Sequence, residues 1–244
     1  MSQDTDIKNA ADFHTQADDI FGRIAGRYDL LCDLFSIGIH RIWKREVAKT
    51  IALEKWDSLL DTATGTGDIV LRVIALQPAN SSRKIVASDI SPQMLKIARR
   101  RLGDNLGQSL HLELLDAENL REFESGSFDC YSMSLGLKIC NRKAALEEAL
   151  RVLKPGGRIV ILEASNIFLP WLHKAYLYYM QLCMPFIGWI ATGGDSSAYK
   201  YLLQGIQEFP SAEELKSELE TLGFKEVTFR RLSLGIVAIH TGRK

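Results

Sequence analysis

Several patterns that identify common protein classes are absent from this sequence. The four cysteines form no Cys-x-x-Cys pair, and the five histidines show no metal-ligand spacing. These absences argue against a metal centre and favour a reducing, cytoplasmic compartment. The formal net charge is zero, so nothing supports general binding of nucleic acid. Residues 1–12 are polar and acidic and do not resemble a signal peptide.

Two phosphate-binding motifs are missing as well. No Gly-x-x-x-x-Gly-Lys-Ser/Thr loop occurs anywhere in the chain. The Gly65-Thr66-Gly67 turn lacks the third glycine of the dinucleotide motif, because Val70 stands at that position. A pyrophosphate ligand is therefore disfavoured at this turn.

The segment Asp61-Thr62-Ala63-Thr64-Gly65-Thr66-Gly67 is nevertheless the most informative part of the chain. It follows an apolar run typical of a strand and precedes a helical pattern, and glycines at such a turn let the backbone approach a ligand. A second strand ends in Asp89, 22 residues after Gly67, where an acid can accept both hydroxyls of a ribose. An ordinary tight turn is the alternative, which the joint spacing disfavours.

Strand and helix patterns alternate from residue 57 to residue 164. The alternation predicts a parallel sheet with right-handed crossovers, with strands near 57–62, 84–89, 109–115, 127–134 and 158–164 and helices near 68–76, 92–103 and 142–152. We treat residues 1–244 as one domain, with an N-terminal helical segment over 13–55 and a helical insertion over 165–210. A capping box predicts a helix over 211–222, and two strands follow near 225–232 and 235–242.

An aromatic stretch lies inside the helical insertion. Seven aromatic residues occur between Ile167 and Ile190, together with Pro170, Pro185, His173 and Lys174. The prolines and charged groups argue against a transmembrane helix. The stretch is either a helical cap on the sheet edge or, in part, the wall of an apolar substrate pocket or a surface that touches a bilayer.

The glycine turn, the acid at Asp89, the run Leu114-Leu115-Asp116-Ala117 and the Leu153-Lys154-Pro155-Gly156-Gly157 turn together resemble class I S-adenosylmethionine (SAM) methyltransferases. This resemblance implies a Rossmann-like α/β fold: a mostly parallel seven-stranded sheet with helices on both faces, closed by an antiparallel C-terminal hairpin. It also implies SAM as cofactor and a substrate lid in the 165–210 insertion.

The flanks are similar to one subfamily, the UbiE-type ubiquinone/menaquinone biosynthesis C-methyltransferases. The similarity rests on residues 28–44, 196–210 and 234–242. It implies C-methylation of a reduced polyprenylated quinol such as demethylmenaquinol or its ubiquinone-precursor equivalent, with a hydrophobic small-molecule partner and no nucleic acid. Peripheral contact with the inner membrane surface and a homodimer are compatible with it.

The resemblance also implies site residues. The positions predicted to bind SAM are Asp61, Gly65, Thr66, Gly67, Asp89, Asp116, Ala117 and Ser134, and no metal is expected. Structural alternatives remain, because Asp116 could cap the next turn and Ser134 could simply end a strand. Candidates for a base or a group that steadies a phenolate are His40, Tyr28 and Lys138, with Asp29, Asp195 and Tyr199 behind them.

One segment departs from the subfamily pattern. Where relatives read Phe-Gly-Leu-Arg-Asn-Val, this chain reads Leu135-Gly136-Leu137-Lys138-Ile139-Cys140. Lysine cannot give the bidentate contact of arginine, so Lys138 is either a substrate contact or a solvated loop residue. Two further functions stay open: a methyltransferase of another small aromatic metabolite, and a non-catalytic SAM-binding subunit of a quinone-synthesis complex.

Overall fold

The fold was analysed in a computed structural model, which describes residues 28–77, 83–107, 109–192 and 197–244. Between residue 28 and the sheet lie the helices α1 (Tyr28–Ser36) and α2 (His40–Ala52). The strands are β1 (Ser58–Thr62), β2 (Lys84–Asp89), β3 (Leu110–Leu114), β4 (Phe128–Ser134), β5 (Leu153–Ala164), β6 (Lys225–Leu232) and β7 (Val237–Arg243). The other α-helices are α3 (Asp68–Ala75), α4 (Pro92–Leu102), α5 (Arg142–Val152), α6 (Pro170–Thr192), α7 (Ser197–Glu208) and α8 (Ala212–Leu222).

The seven strands form one sheet in the order β3-β2-β1-β4-β5-β7-β6. Pairing is parallel from β3 to β5, and β7 runs antiparallel to both β5 and β6. The strand order reverses between β1 and β4, and in open α/β sheets the crevice at such a reversal is where ligands bind. The predicted class I methyltransferase fold, including its antiparallel final pair, is confirmed.

Neighbouring residues of each central strand point to opposite sides of the sheet. Both sides are buried, because each packs against an apolar cluster. Leu59 packs with Val47, Val70 and Ala98 on one face. Leu60 packs on the other face, in a cluster with Tyr131, Leu146, Ile161 and Leu219. Two apolar layers therefore fix the carboxyl edge of the sheet, where the glycine turn lies.

Local signals set several element ends as the sequence predicts. The Ser211 hydroxyl caps α8 in a full capping box with Glu214, and Gly223 ends that helix at φ 110°. The Pro155-Gly156-Gly157 turn also forms, but strand pairing begins earlier than predicted. Phe128 pairs with Leu153 and Cys130 with Arg158, so residues 154–157 bulge out of the ladder.

The described residues of the predicted helical insertion over 165–210 include the helices α6 and α7, and α6 packs against α1 and α7. Helix α6 runs through Pro185. Within the described part of the chain, no helix combines the length and hydropathy needed to cross a bilayer. Of the predicted N-terminal helical segment, residues 28–52 form α1 and α2, and residues 13–27 lie outside the described residues.

Candidate functional site

The glycine turn needs its two glycines for different reasons. Gly67 has φ 78°, and a Cβ there would come within 3.3 Å of Leu102 Cδ1 and 3.4 Å of Ala98 Cβ, so it lets α4 pack closely. Gly65 has φ 57°, and a Cβ there would meet no atom within 4 Å. The backbone at Gly65 therefore borders open space that a ligand can approach.

Asp61 joins this turn to β4. Its carboxylate accepts hydrogen bonds from the hydroxyls of Ser132 (2.5 Å) and Thr64 (2.7 Å), and the residue is 1% exposed. Burial raises the pKa of Asp61 to about 6, against the lowering effect of the two hydroxyls. A cation placed beside this carboxyl would favour its ionised form.

A small cavity of about 30 Å³, here the donor cavity, lies beside the turn. Its lining includes acids, a cation and hydroxyls: Lys44, Asp61, Ala63, Thr64, Gly65, Thr66, Asp68, Ile69, Ser134 and Leu135. The Lys44 ammonium lies 3.1 Å from Asp68, whose carboxylate also pairs with Arg72 and Arg101. Burial works to raise the pKa of Asp68, but Lys44 and the two arginines outweigh it and lower that pKa. Since Asp68 balances only one of the three cations Lys44, Arg72 and Arg101, net positive charge remains around it. The acid Asp61 lines the same cavity.

Asp89 holds the far side of the turn. Its Oδ2 accepts from Gly65 N–H (2.7 Å), and its Oδ1 accepts from Ser91 N–H (2.9 Å). The predicted ribose acid therefore also fixes the shape of the glycine turn. The Thr66 hydroxyl accepts from Arg101 Nη1 at 2.6 Å, so Thr66 links the turn to α4.

Asp116 and Ala117 follow β3 next to Asp89. The Leu115 N–H donates to the Asp89 carbonyl at 3.2 Å, which draws this segment to the end of β2. Asp116 Oδ1 accepts from Glu118 N–H at 2.9 Å, so it does cap the next turn. Ala117 packs in the core beneath the site. Both residues therefore lie close to Asp89, at the carboxyl edge of the sheet.

Ser134 brings a hydroxyl to the donor cavity that a ligand could use. Its hydroxyl is buried and has no hydrogen-bond partner among the described residues. Leaving such a group unpaired costs about 1–3 kcal/mol, which a ligand atom would recover. The methionine end of SAM carries an ammonium and a carboxylate, so the acid Asp61, the cation Lys44 and the free hydroxyl suit it.

A larger cavity of about 310 Å³, here the acceptor cavity, lies under α1, α2 and α6. Most of its lining is apolar: Cys32, Phe35, Ser36, Ile37, Ile39, His40, Trp43, Leu135, Lys138, Ala164, Tyr176, Tyr179, Met180, Ile206, Ile236 and Val237. His40 and Lys138 bring titratable groups to it. Leu135 borders both cavities.

A hydrogen-bond chain fixes the tautomer of His40. The Ser36 hydroxyl donates to the Cys32 carbonyl at 2.6 Å, so its oxygen is left to accept from His40 Nδ1 at 2.8 Å. With the proton on Nδ1, the neutral ring carries its lone pair on Nε2. Burial, followed by the charge of Lys44, lowers the pKa of His40 and favours this neutral form.

Lys138 is not a solvated loop residue. Its side chain is 7% exposed, and the ammonium donates to the Leu135 carbonyl and to Glu163 Oε1 at 3.2 Å. Glu163 is fully buried and also accepts from the backbone N–H of Lys138 and of Ala164. Lys138 is the member of this ion pair that lines the acceptor cavity.

The structure does not place the remaining candidates at the site. The backbone of Tyr28 and Asp29 lies on α1 and that of Tyr199 on α7, but their side chains are not described. Asp195 lies outside the described residues. Sequence reasoning missed Lys44, Glu163 and Leu135. An acid inside the apolar strand Ile159-Val160-Ile161-Leu162-Glu163 was the available signal, because a buried charge requires a partner.

Comparison with known proteins agrees with this geometry over nearly the whole chain. The chain is 40% identical over 227 residues to the ubiquinone/menaquinone biosynthesis C-methyltransferase UbiE of Francisella philomiragia, covering 92% of this chain and 89% of the relative. It is 38% identical to the protein of the same name in Methylococcus capsulatus, covering 92% and 90%.

Solved structures share the fold at lower identity. A SAM-dependent methyltransferase of Thermotoga maritima superposes with a TM-score of 0.64 at 21% identity, covering 93% of this chain and 99% of the other. The [4+2]-cyclase SpnF gives 0.67 at 17% identity, covering 94% and 95%. A sequence model described as the ubiE/COQ5 methyltransferase family matches residues 8–244. The chain thus belongs to the ubiE/COQ5 methyltransferase family and is a SAM-dependent methyltransferase.

Proposed function

We propose that this methyltransferase transfers the methyl group of SAM to a ring carbon of a reduced polyprenylated quinol. Demethylmenaquinol, or the benzenoid ubiquinone precursor, is the acceptor class. The observation that carries the proposal is the apolar acceptor cavity, which contains a neutral histidine and adjoins the donor cavity at Leu135. The names of the Francisella and Methylococcus relatives support the same class of acceptor.

On the donor side, the proposed contacts follow the charges of the site. The ammonium of the methionine end faces Asp61, and its carboxylate faces Lys44. Asp89, at the end of β2 beside the glycine turn, accepts the ribose hydroxyls. The remaining proposed SAM contacts, from the turn to the adenine, are Gly65, Thr66, Gly67, Asp116, Ala117 and Ser134.

Bound SAM supplies a methyl group on a sulfonium, which is already a strong electrophile. The protein must therefore align the ring carbon with it and raise the electron density of the ring. His40 Nε2 accepts the proton of the hydroxyl ortho to the reacting carbon. As the ring carbon takes the methyl group, the sulfur–methyl bond would break and the sulfur would keep its electron pair as a neutral thioether. The ring carbon would then lose its C–H proton and the ring oxygen would regain one, so one proton is released in total, which His40 passes to solvent.

Lys138 supplies a hydrogen bond to the ring oxygen in this proposal. An ammonium has three N–H bonds, and two are used on the Leu135 carbonyl and Glu163. The third is available to an oxygen in the acceptor cavity. Because Glu163 already balances the charge of Lys138, the contribution is a directed hydrogen bond rather than a bare positive charge. Tyr28 remains a candidate through its place on α1.

We also propose that the acceptor is drawn from a membrane surface. Exposed apolar side chains lie on the elements that cover the acceptor cavity: Leu34, Ile37 and Ile42 on or near α1 and α2, and Trp171, Tyr178 and Leu182 on α6. Such a surface suits peripheral contact with lipid. Co-sedimentation with liposomes tests it, and an Ile37→Ser, Trp171→Ser double variant should bind several-fold less.

Methyl transfer from labelled SAM tests the acceptor class. Reduced demethylmenaquinone, the prenylated benzenoid precursor, short unprenylated phenols and a no-acceptor control are compared, and the methylated carbon is identified by mass spectrometry and NMR. Turnover of a prenylated quinol at carbon supports the proposal. Equal turnover of short phenols would instead favour a methyltransferase of small aromatic metabolites, and SAM binding without turnover would favour a non-catalytic subunit.

A further inference from the structure

We propose that Leu135 is the partition between the donor and acceptor cavities and sets which acceptor ring is methylated. We further propose that the buried Lys138–Glu163 pair is the clamp that holds this partition in place. The part concerning the ring rests on the proposed quinol acceptor, and the part concerning the partition rests on geometry alone.

The position of Leu135 carries the first step. It follows the last residue of β4 and lines both cavities, so it lies at the junction between them. Its backbone is left-handed at φ 60°, a conformation rare for residues with a side chain. Such conformations persist where surrounding structure enforces them, and they concentrate at functional sites.

The clamp supplies that enforcement. The Leu135 N–H donates to the Leu162 carbonyl at 2.8 Å, and the Leu135 carbonyl accepts from the Lys138 ammonium. Glu163, which is fully buried, holds Lys138 by its backbone N–H (3.1 Å) and by its ammonium (3.2 Å). Both polar groups of the Leu135 backbone are thereby tied to β5.

The neighbouring residue prevents the partition from moving aside. A Cβ on Gly136 would lie 2.5 Å from Ala63 Cβ, so the ends of β1 and β4 already touch. Ala63 is itself left-handed at φ 49°. On the other side, a Cβ on Gly205 of α7 would come within 3.3 Å of the Lys138 carbonyl, so a helix covers the clamp. The size of the Leu135 side chain, rather than backbone movement, then sets the space at the junction.

The test compares two prenylated quinols with the same tail, one with a naphthalene ring and one with a benzene ring. We expect Leu135→Ala to raise the ratio of kcat/KM for the larger ring over the smaller by roughly tenfold, and Leu135→Phe to lower it. Ile236 lines the acceptor cavity but not the donor cavity, so Ile236→Ala and Ile236→Phe are the matched controls. Ratios that change no more at Leu135 than at Ile236 would overturn the partition.

Calorimetry without acceptor separates this inference from the proposed function. Leu135→Phe should weaken SAM binding several-fold, whereas Ile236→Phe should leave it within twofold. If wild-type protein methylates neither quinol, the proposed acceptor is wrong, and the SAM result still decides whether Leu135 borders the donor. Unchanged SAM affinity in Leu135→Phe would refute the shared wall.

The clamp is tested by Glu163→Gln, which keeps the shape and removes the charge. The ring ratio should shift in the direction of Leu135→Ala. In a Leu135→Gly background, where the left-handed conformation needs no enforcement, Glu163→Gln should change the ratio less than twofold. Equal effects in both backgrounds would show that the pair does not act through Leu135. Should Glu163→Gln fail to fold, Lys138→Met replaces it; because Lys138 also contacts the ring oxygen in the proposed function, only the ratio for the two quinols is compared between backgrounds, and not kcat itself.

Discussion

Replacing Asp61 with asparagine should stabilise the ligand-free protein and weaken SAM binding at the same time. The carboxyl is fully buried, and burial raises its pKa from 3.8 to about 6. In the unfolded chain the group ionises near its ordinary pKa. The folded state therefore holds the proton more tightly, and the free energy of unfolding falls as the pH rises from about 4 to about 6.

The size of the effect follows from that difference. Each pH unit of separation is worth about 1.4 kcal/mol, so ionisation of Asp61 costs the fold on the order of 3 kcal/mol above pH 6. An asparagine oxygen can still accept from Thr64 or Ser132, and the other hydroxyl can rotate to accept from the amide. Asp61→Asn should thus keep the hydrogen bonds with Thr64 and Ser132 and remove the free-energy cost of ionising a buried carboxyl.

Urea unfolding at several pH values measures this difference. The stability of Asp61→Asn relative to wild type should grow from pH 4 to pH 7 and then stay constant. SAM affinity should move in the opposite direction, by about 1.5–3 kcal/mol, because a hydrogen bond to a charged group is lost. Wild-type SAM affinity should itself decline as the pH falls below about 6. A stability difference that does not vary between pH 4 and pH 8 would refute the reasoning.

Four further outcomes are expected. Asp89→Ala should weaken SAM binding by about 1.5–3 kcal/mol in calorimetry, with a change within twofold arguing against the ribose contact. His40→Gln should lower kcat by about 10²–10⁴-fold with SAM affinity unchanged, and because burial lowers the pKa of His40, wild-type kcat should fall only below about pH 6.5. Lys138→Met should lower kcat rather than SAM affinity; unchanged turnover would remove it from the site. Acceptor kcat/KM should rise with prenyl length, at roughly 0.8 kcal/mol per buried CH₂, and equal values for methyl-capped and prenylated quinols would contradict the apolar cavity.

Local patterns in the sequence predicted most of the fold. The strands Lys84–Asp89 and Lys225–Leu232 and the helix Arg142–Val152 lie where hydrophobic periodicity and capping residues place them. The donor cavity could be predicted from the sequence for the same reason, since the glycine turn and Asp89 each follow a strand. Parallel strands bring their carboxyl ends to one edge, so spacing along the chain was enough to bring Asp89 to Gly65.

The acceptor cavity was harder to predict from the sequence, because its chemistry depends on contacts between segments that are distant along the chain. The pairing of Lys138 with Glu163 joins residues 25 positions apart on a loop and a strand, and no spacing rule predicts it. The Cys32-Ser36-His40 chain does follow a four-residue spacing. Its consequence, a lone pair on Nε2, depends on which group donates in each hydrogen bond, and this follows only from the contacts of Ser36 in the folded chain. The left-handed conformation of Leu135 could not be predicted from the sequence either, because leucine gives no local signal for it.

Several features that oppose stability lie together where β1 and β4 end. Asp61 is buried and ionisable, Ala63 and Leu135 are left-handed, and the Ser134 hydroxyl has no partner among the described residues. None of these features helps the sheet to form, and ordinary substitutions would relieve each of them. Natural proteins accept such local costs mainly where function needs them. A zwitterionic donor that faces Asp61 and offers Ser134 a partner would offset two of the costs on binding. The remaining strain, at Ala63 and Leu135, persists in both states, as a fixed wall between donor and acceptor requires.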